Sequence, residues 1–344
     1  IGHQMSNDKW IFPEGKGIVI NDMQIESIGD SQSVEDDYQS HSSNEVTIID
    51  VTGNAIIPGL IDSHTHMVWG GDRSREVRWK QQGNTYSDIA NMGGGIVSTV
   101  KSTKSLSERD LFSIAKKRIM TSLRNGTTHI ETKSGYGLDT STEIKLLKVA
   151  KQLSEDNDTP SVDSTWLGAH AIPDKHTLES YTEEIISEQL PLVAETKLAR
   201  SADVFCEPGW FGIDESEQIL EAAKSYGMNL RMHIDEFSDG NGGELAAKLK
   251  VDTADHSHYT SEDNRVKMSK SGVSTGFLPG TPYSMGSDWP DFNSMIENKH
   301  LWTIATDFNP NNQILSMPFV ASCIVQRCAV DPLAALVLSL IHIS

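Results

Sequence analysis

Cysteine is scarce, long apolar runs are missing and positive charge is outnumbered, and each shortage narrows what the chain can be. The three cysteines, Cys206, Cys323 and Cys328, are odd in number and show no CxxC spacing. Neither a disulfide framework nor a structural zinc knuckle is expected, in keeping with a reducing compartment. No uninterrupted apolar run reaches the roughly 18 residues that a membrane-spanning helix needs. The opening IGHQMSNDKW lacks a basic stretch followed by an apolar one, so a soluble, cytoplasmic protein is the expectation. With 29 basic against 48 acidic side chains the net charge is −19, a field that repels phosphate backbones and anionic lipid surfaces alike. Nucleic acid and membrane are poor partners for such a chain. An anionic substrate would need an arginine inside its pocket to supply local positive charge.

What is present is enough to bury a large core: 344 residues at 37% hydrophobic content, compatible with one barrel or two ordinary domains. From about Ala55 short β-branched or apolar runs alternate with helical patterns, the signature of repeated βα units and a parallel sheet. Strands are expected near Ala55 to Asp62, Thr127 to Lys133, Val162 to His170, Asp203 to Cys206, Asn229 to Asp235, Asp252 to His256, Val273 to Leu278 and Leu301 to Thr306. Eight such strands predict an α/β chain folded as a (β/α)8 TIM-like barrel. Helix starts are expected at Ser105 with Glu108, Thr140 with Glu143 and Asp214 with Glu217, each a capping oxygen with a carboxylate three residues on. Gly126, Gly227 and Gly272 follow amphipathic stretches and read as helix stops. Leu111, Ile114, Ala115, Ile119 and Leu123 recur at three and four, giving one apolar face to pack on a barrel.

Residues 1–54 differ. Lys16 to Ile20, Met23 to Ile28 and Val46 to Val51 read as short strands around a polar loop, Asp30 to Asn44, forming part of a small, incomplete β-sandwich domain whose C-terminal half is missing. The barrel is expected over 55–337, with its last helix, beginning at Asp331 and Pro332, cut short. The stretch 338–344, LSLIHIS, reads as a non-native tail.

His64-Thr65-His66 follows the first barrel strand, and alternation along an extended segment points both imidazoles to one side. Two histidines alone are more often surface or core residues than a ligand set. The company decides: His233 ends strand five, His256 ends strand six and Asp307 ends strand eight, all at the C-terminal mouth where barrel enzymes build their sites. Three imidazoles and a carboxylate suit one divalent ion, Zn or Fe(II), with a position left open for water.

That set of residues, in that order, resembles the amidohydrolase superfamily. Within it, PGLIDSHTHMVWGGDRSREV and MGGGIVSTV (in 58–99), ETKSGYGLD (131–139), LGAHAIP (167–173), FCEPGWF (205–211), HIDEFSDGNGGELAA (233–247), ADHSHY (254–259) and TDFNP (306–310) look like the imidazolonepropionase family. The resemblance covers nearly the whole barrel. It implies a hydrolase acting on a C–N bond, opening the cyclic amide of 4-imidazolone-5-propanoate to N-formimidoyl-L-glutamate in histidine degradation. It implies His64, His66, His233 and Asp307 as metal ligands, and Arg73 as the fork gripping the substrate's carboxylate. Tyr136 and His170 would touch the substrate. Glu236 would also touch it and hand a proton to the released ring nitrogen, or else support the metal site. His256 and Asp307 would share the base and oxyanion roles.

Some relatives in the superfamily hold two metals bridged by a lysine at the end of strand four. This chain has Cys206 and Glu207 there, and Lys133 ends strand two as a structural or substrate-adjacent residue. Many bacterial relatives continue TDFNP with Gly and then Ser or Thr, where this chain has Asn311-Asn312-Gln313. Asn309 stays a substrate contact, and Asn311 and Asn312 are in question. A homodimer is compatible with the resemblance. The competing readings are a deaminase or other cyclic-amide hydrolase of the same superfamily, and an inactive metal-binding fragment.

Overall fold

The computed structural model describes residues 3–6, 9–11, 14–41, 46–84 and 86–340. The chain divides into two units, Ile1–Ile57 and Pro58–Ser344. In the first, β1 (His3–Ser6) pairs antiparallel with β2 (Lys9–Ile11), and β3 (Lys16–Asn21) pairs antiparallel with β4 (Gln24–Asp30). The polar stretch expected as a loop is instead a helix, α1 (Ser31–His41). Gln32 donates to Asp36 at 2.8 Å and Gln39 to Glu35 at 2.9 Å, so side chains four apart support a turn that composition alone disfavours. The strand expected over Val46 to Val51 has no strand partner: Ile48 and Ile49 stand exposed on irregular backbone.

The second unit holds one eight-stranded parallel sheet: β5 (Leu60–Thr65), β6 (Thr127–Lys133), β7 (Ser161–Ala169), β8 (Ser201–Cys206), β9 (Asn229–Ile234), β10 (Thr253–His256), β11 (Ser274–Phe277) and β12 (Trp302–Ile304), neighbours in chain order throughout. Strict sequential order with parallel pairing is the (β/α)8 arrangement. α2 (Ser74–Gln81), α3 (Tyr86–Asn91), α4 (Gly95–Ser105) and α5 (Glu108–Arg124) lie between β5 and β6. α6 (Thr140–Ser154) follows β6, while α7 (Leu178–Glu184), a π turn over Ile185–Gln189 and α8 (Leu190–Thr196) follow β7. Then come α9 (Ile213–Ser225), α10 (Gly242–Leu249), α11 (Glu262–Lys270), α12 (Gly280–Met285), α13 (Phe292–Glu297), α14 (Met317–Cys328) and α15 (Pro332–Val337).

Leu111, Ala115 and Ile119 of α5 are fully buried against Met67, Ile130 and Leu146, while Ile114 and Leu123 are only partly covered. Gly126, Gly227 and Gly272 follow α5, α9 and α11 at φ 93°, 78° and 80°, the left-handed geometry that stops a helix cheaply when no Cβ is present. The helix starts move. Ser107, not Ser105, caps α5 by accepting from Asp110 N, and Asp139, not Thr140, caps α6 by accepting from Thr142 N. Gly212 precedes α9, leaving Asp214 in its first turn.

The barrel closes between β5 and the segment after β12. His66 N donates to Phe308 O at 2.7 Å and Asp307 N to His64 O at 3.1 Å. Asp62 is fully buried and accepts from Thr306 N at 2.9 Å and Thr306 Oγ1 at 2.6 Å. At the other end of the seam Ile61 N donates to Ser339 O and Ile304 N to Leu338 O. Leu338 and Leu340 are buried beside Trp302 and Ile304, so the first residues of the stretch read as a tail fill the gap between first and last strands. Residues 341–344 lie outside the described residues. Replacing Thr306 by Val keeps its shape but leaves a buried Asp62 oxygen without its donor, which should cost about 1.5–3 kcal/mol. Urea unfolding of the metal-free protein measures this, and an unshifted midpoint would show that the seam does not rest on this contact.

Candidate active site

Every residue of the imidazole cluster comes from a strand end. His64 and His66 leave β5 on the same side, His233 and His256 end β9 and β10, and Asp307 follows β12; all are buried. The ring of His64 lies 4.5 Å from that of His233, 5.6 Å from that of His66 and 5.6 Å from that of His256. Asp307 Oδ1 lies 3.7 Å from His64 Nε2 and 3.8 Å from His66 Nε2. His256 and Asp307 take left-handed backbone, φ 65° and 51°, a conformation costing about 1–2 kcal/mol in a non-glycine residue. Such strain is kept where the surroundings need a side chain aimed off its strand.

The donor set fits a cation. His64 Nδ1 meets Asp255 Oδ2 at 2.6 Å and His233 Nδ1 meets Asp203 Oδ1 at 2.9 Å. A carboxylate only accepts, so each Nδ1 carries a proton and Nε2 is the nitrogen left for a ligand. Both Nε2 atoms are buried without a hydrogen-bond partner, as is His66 Nδ1, a state costing about 1–3 kcal/mol per group unless something else binds there. Burial, and after it Lys133 for His64 and His170 for His66, holds both imidazoles well below their ordinary pKa, in the neutral form that ligates metal. Two groups, His64 with His233 and His256, and His64 with His66 and Asp307, each bring their ligand atoms within 4.8 Å of one another. Ligands bound at about 2.0–2.2 Å around one tetrahedral ion lie roughly 3.4 Å apart, close to the Asp307 separations.

Beneath this cluster lies a buried ionic group of which the sequence singled out only Lys133. Lys133 Nζ, at the end of β6, is 2.9 Å from Glu131 Oε1 and 3.0 Å from Asp203 Oδ2. Arg231 Nη2 is 3.3 Å from Asp255. Against burial, which would raise it, His233 and Lys133 hold Asp203 well below the usual carboxylate range. Asp203 had one sequence signal, an acid between the apolar Ala202 and Val204 of a strand, whereas Asp255 stands between Ala254 and His256.

On the β6 and β7 side, the Tyr136 ring lies 5.6 Å from His66, and His170 stacks on His66 at 5.3 Å. Glu236, just past β9, brings Oε2 to 3.6 Å from His256 Nε2. Burial, then Asp307 and Glu207, pushes its carboxyl well above the ordinary value. Glu207 accepts from Glu236 N at 2.8 Å and Ser238 Oγ at 2.9 Å, so it holds the loop that carries Glu236. A cleft lined by Glu236, His256, Tyr259, Leu278 and Thr281 opens beside the cluster, and Thr281 Oγ1 donates to Asp307 Oδ2 at 2.6 Å. Arg73 is buried and pairs through Nε and Nη2 with Glu76, at 2.7–3.0 Å. The Asn309 amide turns into its own loop: Nδ2 donates to Asp307 O, and Oδ1 accepts from Asn311 N and Asn312 N. Contact with a substrate would require it to leave that turn. Asn312 Nδ2 likewise donates to Thr306 O and Asp307 O.

An eight-stranded parallel barrel with converging imidazoles and a carboxylate at its C-terminal mouth defines the class, a hydrolase barrel with a candidate metal site. Solved structures of this fold include a guanine deaminase from C. acetobutylicum with bound guanine (TM-score 0.65, 15% identity, 94% of this chain and 77% of that one). Another is a 5-methylcytosine deaminase from Klebsiella pneumoniae (0.63, 14%, 91% and 78%). No family model matches the chain. Among curated proteins it is 39% identical over 315 residues to an imidazolonepropionase of Clostridium tetani, covering 90% of this chain and 73% of that protein. It is 38% identical over 325 residues to a probable imidazolonepropionase of Dictyostelium discoideum, covering 93% and 76%. The chain belongs to the imidazolonepropionase family.

If Asp203 and Asp255 orient the two imidazoles, Asp203→Asn and Asp255→Asn should each weaken metal binding about 10–100-fold. Competition with a chromophoric chelator measures this, and wild-type affinity in both variants would remove the orienting role.

Proposed function

We propose that this chain hydrolyses 4-imidazolone-5-propanoate to N-formimidoyl-L-glutamate in histidine degradation. The observation that carries this reading is the gathering of buried imidazoles around one carboxylate, with His64 Nε2 unpartnered and 3.7 Å from Asp307 Oδ1 and His66 Nε2 3.8 Å from the same oxygen, in a chain of the imidazolonepropionase family. His64, His66, His233 and Asp307 would hold one divalent ion, Zn or Fe. Such an ion would polarise the ring carbonyl and lower the pKa of a water to about 7. A single ion is supported by the absence of a lysine at the end of β8, where Cys206 is buried and Glu207 is engaged with Ser238. An adenosine deaminase from Xanthomonas campestris shares the fold and is described with bound Zn (TM-score 0.54, 16% identity, 82% of this chain and 65% of that one).

The remaining roles belong to the chain's own side chains. Water attacks the ring carbonyl carbon, and Asp307 and His256 share the tasks of taking its proton and stabilising the developing oxyanion. Burial raises the Asp307 carboxyl above its ordinary value, opposed by hydrogen bonds from Thr281 and Asn309. As the C–N bond opens, Glu236 supplies a proton to the departing nitrogen, a task suited to a carboxyl whose proton affinity burial raises. Tyr136 and His170 line the substrate's other side. Arg73 has its Nε edge on Glu76, leaving Nη1 for the propionate carboxylate. A cytoplasmic setting accords with three free cysteines and a homodimer with the resemblance. Among the described residues no helix is long and apolar enough to cross a membrane.

Chelation should abolish turnover of imidazolonepropionate, with recovery on adding Zn or Fe(II); turnover indifferent to chelation would end the proposal, and bound metal without turnover would favour the inactive-fragment reading. Arg73→Ala should raise KM at least about 10-fold, the loss of one charged hydrogen bond, while metal affinity stays within about 2-fold. An unchanged KM would remove the carboxylate clamp.

A further inference from the structure

The loop Ser134-Gly135-Tyr136-Gly137-Leu138 is wrapped around one buried carboxylate. Glu143, in the first turn of α6, is fully buried. Its Oε2 accepts from Gly135 N at 2.7 Å, and its Oε1 accepts from Gly137 N at 2.7 Å and Leu138 N at 2.8 Å. Three backbone donors from four residues thus point at one anion that the chain itself supplies, the arrangement by which loops elsewhere cradle bound anions. Each is a charge-assisted hydrogen bond in a low-dielectric setting, stronger than its neutral counterpart.

The glycines of the loop serve this closure. A Cβ on Gly137 would come 2.8 Å from Glu143 Oε1, and Gly135, at φ 90°, would bring a Cβ 2.8 Å from His170 Nδ1. Leu138 accepts left-handed backbone at φ 53°, a strain that its hydrogen bond to Glu143 offsets. Gly135 also reaches the next strand, since its carbonyl accepts from His170 Nδ1 at 2.9 Å. A carbonyl cannot donate, so this contact fixes the proton of His170 on Nδ1 and leaves Nε2 as an acceptor. Tyr136 sits between the two anchored glycines, 5.3 Å from the His170 ring.

We infer that Glu143 is the positioning residue of the substrate-facing half of the site, holding Tyr136 directly through its loop and His170 through the Gly135 carbonyl. The inference rests on the reading of Tyr136 and His170 as substrate contacts. It gives Glu143 no part in holding metal.

Glu143→Gln tests it. The amide keeps the size of the side chain but offers an acceptor on one side only, so an NH2 group faces a backbone N–H. KM for imidazolonepropionate should rise about 10-fold with metal affinity unchanged. Nitrogen NMR of His170 should show loss of the single Nδ1–H tautomer. Because Glu143 acts through the loop, Glu143→Gln combined with Tyr136→Phe should raise KM by less than the product of the two single effects. Wild-type KM and tautomer in Glu143→Gln, or fully multiplicative effects, would overturn the inference. Should that variant fail to fold, Gly137→Ala, which crowds the same oxygen, is read by the same two measurements. Tyr136→Phe and His170→Asn each leaving KM untouched would instead refute the contact reading, with the tautomer measurement still judging Glu143.

Discussion

Charge buried under the mouth of the barrel has to be balanced, and the way it is balanced decides which nitrogen each imidazole shows to the centre. Lys133 and Arg231 face Glu131, Asp203 and Asp255, an assembly with one negative charge in excess. Asp307 adds a second, and a divalent cation among neutral imidazoles would cancel both. Taking charges out of water costs several kcal/mol per ion unless partners are close and well oriented. Asp203 and Asp255 are therefore not free to swing, and the imidazoles they hold are not free to flip. Lys133 reaches 3.0 Å from Asp203 and 3.9 Å from Asp255. One ammonium thereby ties together the orientation of His233 and His64, which lie on strands four apart in the barrel.

Closure of the barrel and assembly of the ligand set are the same event. The backbone bonds that bring the end of the chain's last barrel strand onto its first run between His64 and Asp307 and between His66 and Phe308. Forming the seam therefore delivers Asp307 to the two histidines. The left-handed turn at Asp307 is tolerated because that seam over-determines the backbone around it, and the one at His256 is held by the neighbouring strand β9, where Ser257 N donates to Ile234 O. Arg118 adds to the restraint: it donates to the carbonyls of Met67 and Trp69 at 2.8 Å each and lies 3.4 Å over the Trp69 ring, pinning the backbone just beyond His66.

The parts of this arrangement that could be read from sequence are those governed by local period. His64 and His66 share a side because strand residues alternate, and His233, His256 and Asp307 share a rim because each stands at the C-terminal edge of an apolar run in a parallel barrel. The partners of those ligands were not legible, because His64 meets Asp255 across 191 positions and His233 meets Asp203 across 30. Register between neighbouring strands decides such meetings, and no spacing rule encodes it. The helix starts failed differently. Ser105 and Ser107, or Asp139 and Thr140, offer equivalent oxygens within two residues, and backbone angles choose between them. Glu143 has the spacing of a capping partner for Thr140, yet the Gly-flanked loop before the helix supplies stronger donors. In the first unit, Ser, Gln and Asp suggested a loop where side-chain pairs build α1, and Val46 to Val51 had strand-forming residues but no neighbour to pair with.

The anionic character of the whole chain returns at Arg73. A protein of net charge −19 repels a carboxylated substrate at long range, and Glu76 already neutralises the guanidinium proposed to receive it. The pair alone would give such a substrate orientation but little net attraction. Lys80 changes that balance. It is half-buried, lowered by burial and then by the charge of Arg73, and its ammonium donates to Asn311 Oδ1. Arg73, Glu76 and Lys80 together carry one positive charge in excess, enough to match one carboxylate. Glu76 also accepts from Gly95 N at 2.9 Å, which ties the guanidinium to the start of α4 and restricts its rotamers. Asn311, a departure from the bacterial pattern, has a polar partner here: its Oδ1 accepts from the lysine that adds positive charge beside Arg73.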